Sequence, residues 1–218
     1  MDRWVRAQRF ERVPVPKLWH QIDGGANQGS GTGHATYVVE LRMPASADGV
    51  WTLAMNVLNT AGKYRLYDSR ARPLTPWQIH GQPGMNPSET IPLYMRSALS
   101  FSPPADQRVW ALVQVAGFHH PRSGIGFAPE VGPATLMMKE LLSTFGLSIF
   151  TIAVLIIAII YHLIIFSLRR DDQAPLWFSA LCLVILSREL VLGYVIEYFF
   201  LTPSMALFQV RLVIEYMS

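Results

Sequence analysis

Ser143–Leu168 reads STFGLSIFTIAVLIIAIIYHLIIFSL, and its only ionisable side chains are Tyr161 and His162, neither charged in its ordinary form at neutral pH. About 20 apolar residues cross a hydrocarbon core of roughly 30 Å, so this run predicts a membrane-spanning helix with length to spare for tilt. The chain on either side differs in kind. Residues 1–136 hold most of the Gly, Pro and charge, and residues 137–218 are dominated by Leu, Ile, Val and Phe. The averages over all 218 residues, 51% hydrophobic and 15% charged with a mean hydropathy of +0.26, blend those two classes.

Downstream, Arg169, Arg170, Asp171 and Asp172 separate this run from a second apolar stretch, Leu176–Phe200. Cytoplasmic loops carry the excess of Lys and Arg, so the double arginine predicts a cytoplasmic loop, with only Lys139 near the other end. The second stretch contains Arg188 and Glu189 near its centre and Glu197 towards its outer end. A third apolar run begins at about Ser204 and carries Arg211 and Glu215, four apart and hence on one helical face. A charge at mid-bilayer depth costs about 2.5–3.5 kcal/mol on insertion scales, so these residues should face other helices and be paired. Arg188, Glu189, Arg211 and Glu215 are therefore an expected intramembrane charge network. It reads as a structural ion-pair network between the second and third helices rather than a transport path, and a pairing that shifts when the outer domain binds ligand would serve signalling. Two spans and a partial third bury such charges poorly, so further helices are expected beyond this sequence.

Upstream, about 135 residues suffice to bury a core of their own. The turn-rich spacing predicts strands at Ala35–Met43, Val50–Val57, Lys63–Asp68, Glu89–Arg96 and Val109–Phe118, with Val13–Trp19 as a proline-punctuated edge strand. Such a series of short strands, with no helix longer than a turn before residue 134, is the pattern of a β-sandwich. The glycine-rich Gly24–Gly33 is a flexible connection rather than a phosphate-binding loop, because no Gly-Lys-Ser/Thr closes it and a strand follows. The formal charge of +3 is scattered, which argues against a nucleic-acid surface. Cys182 is the single cysteine, so neither a disulfide nor a Cys-based zinc site forms within one chain. The first residues lack the apolar core of a secretory signal, and the expectation is that the natural N-terminus lies further upstream.

The upstream residues resemble a known fold. Trp19, then GHATYVVELRMP from Gly33, YRLYDSRARPL from Tyr64 and VWALVQVAGFHHPRSGIGFAPEVG from Val109 are similar to the galactose-binding-like jelly roll, an accessory domain of glycoside hydrolases and bacterial receptors. Tyr37, Pro44, Tyr64, Phe118, Gly124 and Gly126 match that pattern; Asp68-Ser69 and Ala116-Gly117 stand where Asn-Gly and Ser-Asn are common. Such a domain followed by Gly146, Tyr161-His162, Phe166, Arg169-Arg170 and Asp172, and then by a span with Phe178, Leu183 and Arg188, resembles the bacterial seven-transmembrane receptors with diverse intracellular signalling modules. The resemblance implies a multi-pass protein of the bacterial inner membrane. Its extracytoplasmic jelly roll would occupy residues 1–136 and its helices would begin at 137, with spans at about 143–168 and 176–200 and an incomplete third from 204. It also implies a cyclase, histidine kinase or diguanylate cyclase output that this sequence does not contain. Expected partners are the lipid bilayer, a small-molecule or carbohydrate ligand and, as an option, a second copy of the chain, with no nucleic acid and no cofactor.

The residues themselves offer few sites. Trp51, Trp77 and Trp110 could stack on a sugar ring, and Trp77, in a loop, is the one expected to be exposed. His119 and His120 are candidate ligand contacts; as a metal pair, with His34 or His80 as a third ligand, they are disfavoured because neighbours on a strand point to opposite faces. His162, alone on an apolar helix, reads as a hydrogen-bonded packing residue rather than a proton relay. Carboxylates for glycoside cleavage could be drawn from Asp23, Glu40, Asp68 and Glu89, yet no catalytic motif appears and no catalytic residue is assigned. The second reading, from another class, is a membrane-tethered carbohydrate-binding or scaffold module without signalling output; a membrane enzyme subunit is the third.

Overall fold

The computed structural model describes residues 17–21, 31–55, 60–93, 97–120, 123–193, 195 and 204–217. Among the described residues nine strands precede three helices. The strands are β1 (Lys17–Leu18), β2 (Gly33–Arg42), β3 (Trp51–Met55), β4 (Ala61–Asp68), β5 (Gln78–His80), β6 (Ser97–Phe101), β7 (Arg108–Gly117), β8 (Gly124–Ile125) and β9 (Glu130–Pro133). The helices are α1 (Ala134–Leu168), α2 (Ala174–Leu192) and α3 (Met205–Met217). By contacts the chain divides into two compact units, Met1–Met137 with Thr202–Phe208, and Met138–Leu201 with Gln209–Ser218.

In the first unit a four-stranded sheet has the order β2-β7-β4-β5, a three-stranded sheet the order β6-β3-β9, and β1 pairs with β8; every pairing is antiparallel. Period-two alternation decides which side chains meet. Val109, Val113 and Val115 of β7 and Tyr64 and Leu66 of β4 form one core with Leu53 and Met55 of β3 and Leu99 and Phe101 of β6. The two sheets thus share an apolar interior in the manner of a sandwich. Ala35, Tyr37, Val39 and Leu41 of β2 add the face that their alternation predicts. One polar link crosses the interior: the Tyr64 hydroxyl donates to Ser97 Oγ at 3.2 Å, and burial, partly offset by that bond, pushes the phenol up to about 12.

Trp19 closes one end. It is 2% exposed, its backbone N–H bonds Ser123 O at 3.0 Å and its indole N–H bonds the Tyr37 hydroxyl at 2.5 Å. The ring seats against Gly124, whose φ of +117° only glycine adopts readily and where a Cβ would lie 3.0 Å from Trp19 Cδ1. Two residues that carry the jelly-roll resemblance, Tyr37 and Gly124, therefore converge on Trp19.

One strand expectation differs from what forms, and two others run beyond the described residues. Glu89–Arg96 is not a strand where it is described: Pro87–Glu89 is a 3-10 turn and Ile91 makes a single bridge to Gln82, while 94–96 lie outside the described residues. Pro92 interrupts the run that its apolar residues suggest, and Pro87 opens the 3-10 turn before it. Ser97–Phe101 and Glu130–Pro133 form strands instead, because β3 supplies ladder partners on both sides. Of Val13–Trp19, the described part is the two-residue β1 followed by a turn at Trp19, and the end of Val50–Val57 lies outside the described residues. β9 ends at Pro133 and α1 begins at Ala134, whose N–H bonds Val50 O at 2.9 Å.

α1 has 35 residues, about 52 Å at 1.5 Å per residue, longer than a hydrocarbon core needs. Lys139 and Glu140 sit in its first turns, and Ser143–Leu168 supplies the uncharged remainder. Arg169–Gln173 turns the chain, the Asp172 carboxylate accepts the Ala174 N–H at 3.0 Å, and Pro175 stands in the first turn of α2. α2 returns alongside α1, with the His162 and Phe178 rings 4.3 Å apart. Both helices are long and apolar enough to cross a membrane. α3, at 13 residues, is shorter than a span requires.

Candidate functional site

On β4 Tyr64 and Leu66 enter the core and Asp68 is buried on the same side, so Lys63, Arg65 and Tyr67 face outward. The ladder places Lys63 between Gln114 of β7 and Ile79 of β5, and Arg65 beside Leu112. Trp77, the residue before β5, lies against both cations: Lys63 Nζ is 5.3 Å and Arg65 Cζ 5.9 Å from its ring centre, and Arg65 is also 5.7 Å from the Tyr67 ring. Cations within about 6 Å of an aromatic face are held by its quadrupole.

The loop that delivers Trp77 is clasped to the back of β4. Leu74 N–H bonds Leu66 O at 2.8 Å, the Thr75 hydroxyl oxygen accepts Leu66 N–H at 3.1 Å, and Arg65 Nε donates to Thr75 O at 2.8 Å. At its start Asp68 organises the turn, accepting the backbone N–H groups of Arg70 and Arg72 at 2.9 and 2.8 Å and the Arg72 Nε–H at 2.7 Å. Burial raises the Asp68 carboxyl, and these donors outweigh it, leaving the group below its usual range. Trp77 is therefore a half-buried residue held by its own cations rather than a freely exposed ring.

The same sheet face carries one carboxylate near its far edge. Glu40 on β2 accepts from Arg108 Nε at 2.9 Å and Arg42 Nε at 3.3 Å. Burial opposes ionisation there, but both arginines outweigh it and hold the carboxyl below its usual range. Trp110, between Glu40 and Tyr67 in the ladder, is only 8% exposed and lies 5.9 Å from Arg108. Trp51 packs against the core.

The histidines do other things. His119 Nε2 is 3.0 Å from both Pro87 O and Thr90 O; since two carbonyls accept, this nitrogen carries the proton and pins the 3-10 turn. His120 is buried, and its carbonyl accepts the Ser123 hydroxyl at 2.6 Å. His80, on the inner face of β5, is 2% exposed, and burial pushes it down to about 4 against an opposing contact from the Leu93 backbone. Among the described residues no three His, Cys, Asp or Glu side chains come together as metal ligands. Of the four carboxylates considered for glycoside cleavage, Glu40 faces outward from its sheet while Asp68 turns inward beside Leu66, and Glu89 pairs with Asn86 in the 3-10 turn. Asp23 lies outside the described residues. Glu40 and Asp68 are ionised hydrogen-bond acceptors, so neither is tuned as a proton donor.

In the helices, Arg188 pairs with its neighbour Glu189, Nη1 to Oε1 at 3.4 Å, on α2 itself. Arg211 on α3 is 2% exposed. His162 Nδ1 donates to Ala158 O at 2.8 Å and the ring meets Tyr161 edge-on, which is the packing role its position predicts. Thr151, Ser167, Ser179 and Ser187 bond carbonyls three or four residues back, so these hydroxyls need no water.

Lys63, Arg65 and Tyr67 were open to discovery in the sequence through their alternation in KYRLYD. That Trp77 joins them required the β4–β5 pairing, which the three-residue β5 does not announce. Comparison with protein-family models, with curated proteins and with solved structures finds no match.

Proposed function

We propose that this chain is the ligand-binding and membrane-entry part of a receptor. A β domain outside the cytoplasm binds a small molecule or carbohydrate, and the helices carry the signal across a bacterial inner membrane towards a cytoplasmic output domain. One observation carries the reading: of the 35 residues of α1 only Ile152 is buried, so its other Ile, Leu and Phe side chains need a solvent that is itself apolar. The self-satisfied hydroxyls of α1 and α2 support it, as does Arg169-Arg170 in the turn between them. That β9 is followed at once in the chain by the first residue of α1 is consistent with coupling.

Alkaline phosphatase fused after Arg170 tests the topology. It should be inactive there, with normal membrane insertion, and activity at that position would overturn the orientation. The alternative is a tethered carbohydrate-binding module without output, which the Trp77 face would serve equally well. In a full-length receptor carrying Arg188→Gln, altered output with normal insertion supports signalling, and unchanged output favours the tether.

A further inference from the structure

We infer that the outer face of the four-stranded sheet around Trp77 binds an acidic saccharide, with a pyranose face against the indole and a uronate carboxylate reached by Lys63 and Arg65. This rests on the reading of the β domain as the ligand-binding unit and names its site and ligand class.

Three features of the face lead there. The first is charge. Lys63 and Arg65 stand on alternate outward positions of one strand, and among the described residues no carboxylate is ion-paired to either. The carboxylate on that face, Glu40, belongs to β2, two strand spacings or about 10 Å away, where Arg42 and Arg108 hold it. The Trp77 end of the face is therefore positive and suited to an anion.

The second feature is the ring. The CH groups on one side of a pyranose form a flat apolar surface that an indole covers, and Trp77 is held in place by the clasped loop and by both cations. A sugar on this ring lies within reach of Lys63 Nζ, 5.3 Å from the ring centre. Arg65 uses Nε on Thr75 O, and its terminal nitrogens make no hydrogen bond among the described residues, so they can fork onto a carboxylate.

The third feature is access. β5 is an edge strand, and Ile79, paired with Lys63, is 61% exposed and forms an apolar lip beside the cations. Among the described residues no further strand pairs beyond β5, so a sugar chain can run off that edge of the sheet. Two cations at one ring match the carboxylates of a uronate chain; they are too few to neutralise the continuous phosphates of a nucleic acid.

Isothermal titration of the full chain in phosphatidylcholine nanodiscs tests the assignment, with galacturonate trimer, neutral galactose trimer and inorganic phosphate as probes. The uronate trimer should bind at least about tenfold more tightly than the neutral trimer and should weaken as salt rises. Lys63→Gln should reduce its affinity about tenfold with an unchanged melting temperature, since it leaves the Arg65–Thr75 clasp intact; Trp77→Ala should reduce it at least as much, with a lowered melting temperature because the ring is half-buried. Equal binding of the neutral trimer, unaffected by Lys63→Gln, would overturn the acidic class and leave the ligand-binding reading standing. Competition by phosphate at matched concentration would reduce the site to a small-anion site, and uronate binding indifferent to both substitutions would move it elsewhere. Failure of all three probes overturns this inference alone, since the receptor reading is tested separately by the phosphatase fusion.

Discussion

His80 is the buried titratable group with the clearest consequence. Unfolded, its imidazole takes a proton near pH 6.5; folded, burial holds it neutral down to about 4. The unfolded chain therefore binds more protons in that window, and stability present above pH 6.5 is lost progressively down to about pH 4, by about 3 kcal/mol in all. Melting curves between pH 7 and 4 should show this loss, and His80→Leu should remove that share of it. Parallel pH profiles for the two proteins would refute the assignment. Asp68 works with the opposite charge and is buried too. Asp68→Ala strips the acceptor from two backbone N–H groups and the Arg72 guanidinium, and chemical denaturation should register a loss of about 2–3 kcal/mol, with Asp68→Asn intermediate.

The turn after β4 shows how an element is held by more than its pattern. Asp68 draws the backbone round tightly enough that Ala71 sits at φ +62°, a left-handed conformation that opposes a Cβ. Ala71→Gly should relieve this and raise stability by about 0.5–1 kcal/mol, net of the extra freedom that glycine gains in the unfolded chain. A lower melting temperature would show that the turn is not strained. The opposite case is Gly117, at the end of β7, where a Cβ would lie 2.5 Å from Ser123 Oγ and 2.6 Å from Thr60 Cγ2. Alternation alone located β2, β4 and β7 to within two residues at each end, because each buries one face along its length. It missed β5, β6, β8 and β9, short pieces whose pairing comes from a neighbour rather than from their own residues.

Across the molecule, the long apolar helix is the feature with the largest energetic demand. Ile157, 67% exposed in the middle of α1, should tolerate no charge if lipid surrounds it. Ile157→Arg should raise the apparent insertion free energy by about 2.5–3.5 kcal/mol in a glycosylation-based insertion assay, while Lys139→Arg should leave it unchanged. Equal insertion of the two variants would contradict the membrane reading. The same demand explains the Arg188–Glu189 pair on α2, since two opposite charges at one depth are less costly together than apart.

What the amino-acid sequence determined by itself was wherever one property repeats along many residues: the uncharged run from Ser143 to Leu168, the alternating faces of β2, β4 and β7, and the division between strand-rich and helical parts. Burial acts on such runs residue by residue, so the pattern is written locally. The tertiary structure decided what depends on one or two residues meeting across long separations. It seated Trp19 on Gly124 and Tyr37, committed His119 to the carbonyls of Pro87 and Thr90, and laid Trp77 over Lys63 and Arg65. A ladder register brings those residues together, and a register is a property of two strands that neither strand carries alone.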